Sequence, residues 1–261
     1  MAKRVKRTTV KRAFEDRKRA ESTAGLMALR IIVMILIILL AVGAAAYAVL
    51  EFKKANEEQP QPDSDADPYY QSFSAQDNEK LLEYCNSSVP IDEYYQTEVE
   101  DYNGVKVSKL MYESLKRMAD AAAEDGISIE VLVGYMSYEE CDLKYNTVLL
   151  QLEEEGHSAV EAEILARSTF PPADSNEYRT GMIIKVSNMD SSDFAKTDVY
   201  TWLYKNGINF GFINRYTAEK AQSTGMEEDL TVYRFVGTEN AKKMRSFNMS
   251  LEEYCDYCSY H

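Results

Sequence analysis

The sequence is poor in histidine, proline and glycine. Its 261 residues contain two histidines, six prolines and eleven glycines. So few prolines and glycines exclude a low-complexity chain, and the sequence shows no internal repeat. The two histidines are His157, in a Gly-His-Ser turn, and His261, the last residue. Imidazole is therefore scarce as a potential zinc ligand.

Positive charge is scarce after the first thirty residues. Residues 1–30 carry a net charge of +7, whereas residues 51–261 carry −21. The basic segment has no interleaved aromatic residues and no nucleic-acid-binding motif, so we expect no nucleic-acid partner. Attraction to the anionic cytoplasmic leaflet of a membrane explains its charge more simply.

One hydrophobic run contains no charged residue: residues 31–50 read IIVMILIILLAVGAAAYAVL. A helix rises about 1.5 Å per residue, so about 20 residues span the roughly 30 Å hydrocarbon core of a bilayer. The basic residues before the run predict a cytoplasmic N-terminus under the positive-inside rule. We therefore predict a single-pass anchor in the cell membrane, with an extracytoplasmic C-terminal domain.

The same run contains a small-x-small sequence, Ala46-Tyr47-Ala48, of the kind that signal peptidase cleaves. The run is longer than the roughly 7–15 apolar residues of a secretory signal, which favours an uncleaved anchor. Residues 51–68 are polar, acidic and interrupted by proline, which predicts a linker. Residues 69–261 then form the predicted globular domain.

Apolar periodicity after the linker predicts an α+β domain. Helical spacing and Ser-x-x-Glu capping boxes predict helices over residues 108–125, 137–155, 158–168, 199–206, 239–247 and from 250 onward. Runs of strand-forming residues predict strands over 127–135, 180–187 and 230–236. Because these elements do not alternate strictly as βαβ units, we expect a small antiparallel sheet flanked by helices.

Four cysteines lie in the predicted outer domain: Cys85, Cys141, Cys255 and Cys258. An even number of cysteines in an oxidising compartment predicts at least one disulfide, and the pairing stays open. Cys255-x-x-Cys258-x-x-His261 also has the ligand types of a zinc site, which would need Cys85 or Cys141 as a fourth ligand. The compartment favours the disulfide over this alternative.

A series of short motifs also occurs in a recognisable order. The segment Val133-Gly134-Tyr135-Met136-Ser137-Tyr138 is followed by Thr180-Gly181, Trp202-Leu203, Gly211-Phe212-Ile213, Arg215-Tyr216, Lys220, Thr224-Gly225, Arg234, Val236-Gly237 and Leu251-Glu252-Glu253-Tyr254. From about residue 81 to residue 254, the sequence thus resembles the VanY-type D-alanyl-D-alanine carboxypeptidases. The resemblance implies the fold of these zinc metallopeptidases, which trim peptidoglycan stem peptides.

The zinc ligands of that family do not recur in this sequence. Aligned to the signature Ser-x-His-x-x-Gly-x-Ala-x-Asp, the chain has Tyr178 at the histidine and Lys185 at the aspartate. Aligned to Glu-Pro-Trp-His, it has Asp229 at the general base and Val232 at the third ligand. A catalytic zinc site normally takes three N, S or O donors from protein. The resemblance therefore implies a lost zinc site, no cofactor and no intact catalytic set.

The same alignment places a methionine where the family has a substrate-facing arginine. It implies a degenerate substrate cleft formed by Met136, Ser137, Tyr178, Lys185 and Val232. In such a cleft Lys185 could hold a peptide carboxylate at the former zinc position. Alternatively, Lys185 could form a salt bridge with Asp229 in a cleft that has lost its ligand.

Three functions stay open at this point. The first is a membrane-tethered pseudopeptidase that binds cell-wall peptide or an envelope protein. The second is a hydrolase with an atypical site, in which Asp229 keeps a role and a lysine or tyrosine of lowered pKa acts as a base. The third is a structural docking protein of the cell envelope. The missing zinc ligands favour the first and third functions over the second.

Overall fold

The computed structural model describes residues 71–260 and, outside them, Met34 alone. Apart from Met34, the predicted tail, membrane span and linker therefore lie outside the described residues. Within residues 71–260, every helix is too short or too polar to serve as a membrane span.

The described residues form an α+β domain with two small antiparallel sheets. The helices are α1 (Ala75–Leu81), α2 (Lys109–Glu124), α3 (Tyr138–Glu154), α4 (Ala159–Thr169), α5 (Ser191–Phe194), α6 (Asp198–Asn206), α7 (Ala221–Thr224), α8 (Thr238–Phe247) and α9 (Leu251–Tyr260). The strands are β1 (Val99–Tyr102), β2 (Val105–Ser108), β3 (Ile183–Lys185), β4 (Phe212–Tyr216) and β5 (Asp229–Phe235). Short 3-10 turns cover Ala173–Ser175, Glu177–Thr180, Gly207–Phe210 and Ala218–Lys220.

The larger sheet has the strand order β3-β5-β4, with antiparallel neighbours throughout. In the register of β3 with β5, Lys185 is the partner of Val232. A shift in register between Asn214 and Tyr216 interrupts the pairing of β4 with β5, and Tyr216 then pairs with Asp229. The register thus brings Lys185, Val232 and Asp229 to the same end of the sheet.

The smaller sheet is the β1–β2 hairpin, which the sequence analysis did not predict. Its turn is Asn103-Gly104, and both residues have positive φ angles, 53° and 88°. A two-residue turn with positive φ at both positions matches the right-handed twist of paired strands, and Asn-Gly is its preferred sequence.

The prediction of a strand over residues 127–135 was wrong. These residues belong to no strand and join the larger sheet through one isolated bridge, from Val133 to Lys185. The Tyr135 amide instead donates a hydrogen bond to the Lys106 carbonyl of β2, at 2.6 Å. Gly134 permits this crossing, because a Cβ there would lie 2.3 Å from the same carbonyl oxygen. The segment therefore connects the two sheets and extends neither.

Helix α2 supplies the centre of the main hydrophobic core. Its inward side chains recur three or four residues apart and are fully buried: Met111, Leu115, Met118 and Ala122. They belong to one cluster with side chains of both sheets, including Val107, Ile184, Tyr233 and Phe235. A separate apolar cluster lies beneath the α3–α4 hairpin and contains Tyr145, Ala166 and Phe170.

The predicted starts of α3 and α4 are confirmed by their capping boxes. The Ser137 hydroxyl accepts from the Glu140 amide, while the Glu140 carboxylate accepts from the Ser137 amide. Ser158 and Glu161 make the same reciprocal pair at α4. Each box satisfies amide groups that the first helical turn leaves without a partner.

Two buried arginines hold the chain that precedes β1. Arg234 donates to the carbonyl oxygens of Leu81 and Glu83, and Arg179 donates to those of Asp92 and Glu93. Since buried carbonyl groups need hydrogen-bond partners, these contacts allow an irregular segment to pack against the domain.

Candidate functional site

A cavity of about 270 Å³ lies between the α3–α4 hairpin and the end of the larger sheet. We call this cavity the cleft. Its apolar wall includes Val148, Phe170, Met226 and Val232. Its ionisable side chains include two lysines and four acids, which are Lys144, Lys185, Glu177, Glu227, Glu228 and Asp229. The cleft is therefore a mixed apolar and charged site, as small-molecule and peptide sites usually are.

Four of the residues that the sequence analysis selected line the cleft together. Tyr178 comes from the 3-10 turn Glu177–Thr180, and Lys185 is the last residue of β3. Asp229 and Val232 come from β5. Residues that are up to 54 positions apart in sequence (178 to 232) are thus brought to one cavity by the pairing of β3 with β5.

Met136 and Ser137, the other two selected residues, have structural contacts that are separate from the cleft lining. The Ser137 hydroxyl and amide both take part in the capping box of α3. Met136 packs against the apolar cluster beneath the α3–α4 hairpin, and its amide donates to the Tyr178 carbonyl at 3.3 Å. Met136 therefore supports the turn that carries Tyr178.

Lys185 forms an ion pair with Asp229 within the cleft. The Lys185 Nζ lies 2.5 Å from Asp229 Oδ2 and 2.8 Å from Thr231 Oγ1. The Thr231 hydroxyl and amide both donate to Asp229 Oδ1. Both carboxylate oxygens are thus occupied, and the Lys185 charge is compensated by a neighbour.

Tyr178 is a partly buried aromatic residue of the cleft wall. Its ring stacks on Phe170, with 6.1 Å between the ring centroids. Burial raises the pKa of the Tyr178 hydroxyl well above its usual value, and the negative charge of Asp229 raises it further. The hydroxyl therefore stays protonated at neutral pH, which suits packing and hydrogen bonding better than acting as a base.

The side chains at the three family ligand positions do not fit zinc. Val232 has no donor atom, Lys185 is an ammonium group paired with Asp229, and Tyr178 is held as a neutral phenol. Zinc ligands must be deprotonated N, S or O donors. Within residues 71–260, His, Cys, Asp and Glu side chains form no cluster of three that could hold a metal ion.

Lys144 is a cleft residue that the sequence analysis missed. It lies on α3, one turn after Cys141, and its Nζ lies 4.6 Å from the centroid of the Phe170 ring. Burial lowers the pKa of the Lys144 ammonium, and the positive charge of Lys185 lowers it further. No motif marks this position, and Lys144 is an exposed residue of α3, as a lysine on a helix most often is.

At the wall of the cleft, Glu177 belongs to a buried network of charges. Its carboxylate accepts from Arg215 Nε and Arg234 Nε, each at 2.7 Å, and from the Tyr216 hydroxyl at 3.3 Å. Arg215 also makes a bidentate pair with Glu252, at 2.7 and 3.0 Å. The network fixes the position of Glu177 and hence of the adjacent Tyr178.

The expected disulfide is absent, since all four cysteines are free thiols in the structure. Cys85 and Cys141 are buried at separate places, Cys85 among the charges of Glu177 and Arg234, and Cys141 near Lys144. The Cys255 thiol contacts the Leu82 carbonyl oxygen at 3.3 Å. Three of the thiols thus pack against other groups, whereas Cys258 is exposed. Burial raises the pKa of Cys141 and of Cys255 to about 12.

Comparison with solved structures defines the class of this domain as a D-alanyl peptidase fold. A VanY D,D-pentapeptidase variant from a VanB-type resistance cassette, solved with Zn(II), matches with a TM-score of 0.61 and 28% identity. The match covers 67% of this chain and 99% of the pentapeptidase. VanYB in complex with D-alanine-D-alanine matches with the same TM-score and identity, over 67% of this chain and 97% of VanYB. An LD-carboxypeptidase, LdcB, shares the fold at 22% identity and a TM-score of 0.58, over 72% of this chain and 94% of LdcB.

Sequence comparison then identifies the family. The family described as VanY, D-alanyl-D-alanine carboxypeptidase, matches residues 104–238. A D-alanyl-D-alanine carboxypeptidase of Enterococcus faecalis is 29% identical over 179 residues, 68% of this chain and 66% of the relative. A second one, of Enterococcus faecium, is 26% identical over 59% of this chain and 46% of the relative. This chain belongs to the VanY family, and its matched region spans at most about two thirds of these relatives.

Proposed function

We propose that this chain is a membrane-anchored member of the VanY family that binds peptidoglycan stem peptide without hydrolysing it. The basic tail (1–30) is cytoplasmic, residues 31–50 span the membrane, and the described domain lies outside the cytoplasm. In this proposal the cleft keeps the peptide-binding function of the fold and has lost the zinc chemistry.

The observation that carries the proposal is the ion pair between Lys185 and Asp229. These residues stand at the family positions of a zinc ligand and the general base, and their charges compensate one another at 2.5 Å. A carboxylate that is held by an ammonium group and by Thr231 is poorly available to accept a proton from water. Val232, at the position of the third ligand, supplies only methyl groups to the cleft wall.

The shape of the cleft supports a retained binding role. A cavity of about 270 Å³ persists beside the ion pair, although loss of function alone leaves a fold free to fill such a space with side chains. Its mixed lining offers apolar contact for alanyl methyl groups and charge for a peptide terminus. The related VanYB has been solved in complex with D-alanine-D-alanine, which supports the choice of ligand class.

The test uses the full chain, purified in detergent, and a pentapeptide that ends in D-alanyl-D-alanine. Calorimetry measures binding, and mass spectrometry on the same samples measures released D-alanine, each with and without added zinc. We expect saturable binding, no release of D-alanine and no effect of zinc on either reading. The Enterococcus faecalis carboxypeptidase serves as the positive control for release.

Each other outcome contradicts a defined part of the proposal. Release of D-alanine that disappears in Asp229→Asn would establish an active hydrolase with an atypical site. Absence of both binding and release would overturn the peptide-binding role and leave the domain as a docking module for an envelope protein.

A further inference from the structure

The cleft contains one cation whose charge no nearby acid compensates, and that cation is Lys144. Of the two lysines that line the cavity, Lys185 is already paired with Asp229 and also donates to Thr231. Among the described residues, Lys144 has no carboxylate within ion-pair distance, and its ammonium group lies over the Phe170 ring.

Of the four acids that line the cleft, two are paired with cations, and the other two are exposed and each accept one hydrogen bond. Glu177 is held by two buried arginines, and Asp229 is held by Lys185. Glu227 accepts a hydrogen bond from the Ser168 hydroxyl at 3.2 Å, and Glu228 accepts one from the Ala218 amide at 3.2 Å. Lys144 is therefore the remaining site for a negative charge of a ligand.

The environment of Lys144 favours a monovalent anion with an apolar neighbour. Lys144 as a residue is exposed to solvent, so an anion can reach its ammonium group, and that group is partly desolvated where it lies over the Phe170 ring. Glu227 and Glu228 on the cavity wall repel a dianion such as phosphate about twice as strongly as a monoanion, and a single lysine compensates the charge of the monoanion only. Val148 and Phe170 offer the adjacent apolar surface that a methyl side chain needs.

We infer that Lys144 binds the terminal carboxylate of the peptide and makes the cleft specific for a free carboxyl terminus. This inference rests on the proposed function and names the residue that recognises the ligand. The sequence analysis suggested Lys185 as the residue that binds the peptide carboxylate. Because the charge of Lys185 is compensated by Asp229, we assign this binding to Lys144 on α3.

The experiment compares two peptides on the full chain: the pentapeptide ending in D-alanyl-D-alanine and the same peptide with a C-terminal amide. The wild-type protein should bind the acid form about 10-fold or more tightly than the amide, the usual effect of a charge-assisted hydrogen bond. Lys144→Gln should weaken binding of the acid by a similar factor and leave the amide unchanged. Lys144→Arg, which keeps the charge, should keep the preference for the acid.

Lys116→Gln is the matched control, because Lys116 also lies over an aromatic ring, Tyr112, at 5.6 Å on α2. It should leave both affinities unchanged. Equal wild-type affinity for acid and amide, or a preference that survives in Lys144→Gln, would overturn the role of Lys144 while peptide binding stands. Absence of binding to both peptides would remove the proposed function and this inference together.

Discussion

At the scale of the residue, Glu177 is where the buried charges of the domain converge. Burial by itself raises the pKa of a carboxyl group, but the guanidinium groups of Arg215 and Arg234 outweigh this effect and hold the pKa of Glu177 below its usual value. Glu177 directly precedes Tyr178, so the same contacts that hold its charge also fix one wall of the cleft. A change at this carboxylate should therefore affect both stability and the shape of the site.

Glu177→Gln should lower the free energy of unfolding by about 3–5 kcal/mol, the usual cost of removing one partner from a buried ion pair. The reason is that Arg234 loses its only carboxylate partner among the described residues. Urea denaturation at neutral pH measures the loss. Glu163→Gln is the matched control, since Glu163 makes an exposed pair with Arg167 at 3.0 Å and its loss should cost less than about 1 kcal/mol.

The pH dependence of the free energy of unfolding, measured for wild type and for Glu177→Gln, provides a further check on Glu177. Because its folded pKa is lowered, the stability that its charge contributes is complete above the ordinary glutamate pKa of 4.5 and is lost as the pH falls through the folded value. The difference between wild type and Glu177→Gln should narrow in acid. A difference that stays constant down to about pH 3 would contradict this account of the network.

At the scale of the element, the segment over residues 127–137 joins the two sheets and leads into α3. Tyr135 donates to β2, and Met136 donates to the turn that carries Tyr178. These hydrogen bonds thus link the start of α3, the helix that carries Lys144, to the elements that surround Lys185 and Asp229.

Gly134→Ala should destabilise the domain by about 1–3 kcal/mol, the usual cost of inserting an extra carbon into packed surroundings. The added Cβ would lie 2.3 Å from the Lys106 carbonyl oxygen, so the segment must move away from β2. Thermal unfolding measures the effect. Gly207→Ala is the control, because its added Cβ meets its nearest neighbour at 3.5 Å and should fit. Equal melting temperatures for the two variants would show that the segment does not need this close approach.

The sequence predicted some elements well because their signals are local. The capping boxes at Ser137 and Ser158 place the starts of α3 and α4 correctly, since the donors and acceptors of a box lie within four residues. The hairpin of β1 and β2 was missed although its Asn103-Gly104 turn is a local signal. The segment over residues 127–135 was misread because alternation records burial of one face, and strand pairing depends on distant partners.

The cleft was predictable only in part. The resemblance to the VanY family selected Tyr178, Lys185, Asp229 and Val232, which the structure brings to one cavity. Lys144 could not be selected, because its proximity to Phe170 depends on how the α3–α4 hairpin closes. Ser137 is the opposite case: the resemblance selected it for the cleft, but its hydroxyl caps the start of α3.

At the scale of the whole molecule, the division of charge is the main feature. A basic amino-terminal segment, an uncharged run and an acidic domain follow one another along the chain. This order is the one that the positive-inside rule associates with a cytoplasmic tail and an outer domain. The proposed topology therefore places the cleft where peptidoglycan is found.

Cys258 offers a test of this topology, because it is an exposed free thiol near the end of the domain. A membrane-impermeant maleimide should label the full chain in intact cells, since the thiol faces outward in the proposed orientation. Cys258→Ser should remove most of the labelling, because Cys85 and Cys141 are buried and Cys255 is half-buried. Labelling that requires lysis of the cells would contradict the outer location.

The contacts of the chain before β1 have a mechanical consequence for a domain on a tether. Gln71 accepts hydrogen bonds from Ser114 and Arg117 of α2, and farther along the chain Arg234 holds the carbonyl groups of Leu81 and Glu83. A tension applied through the preceding residues would therefore act first on the core helix α2, through Gln71, and then on β5, through Arg234. In the proposed anchored topology, the hydrogen bonds of Gln71 to α2 would take up a pull from the membrane before it reaches β5, the strand that carries Asp229 and Val232 of the cleft.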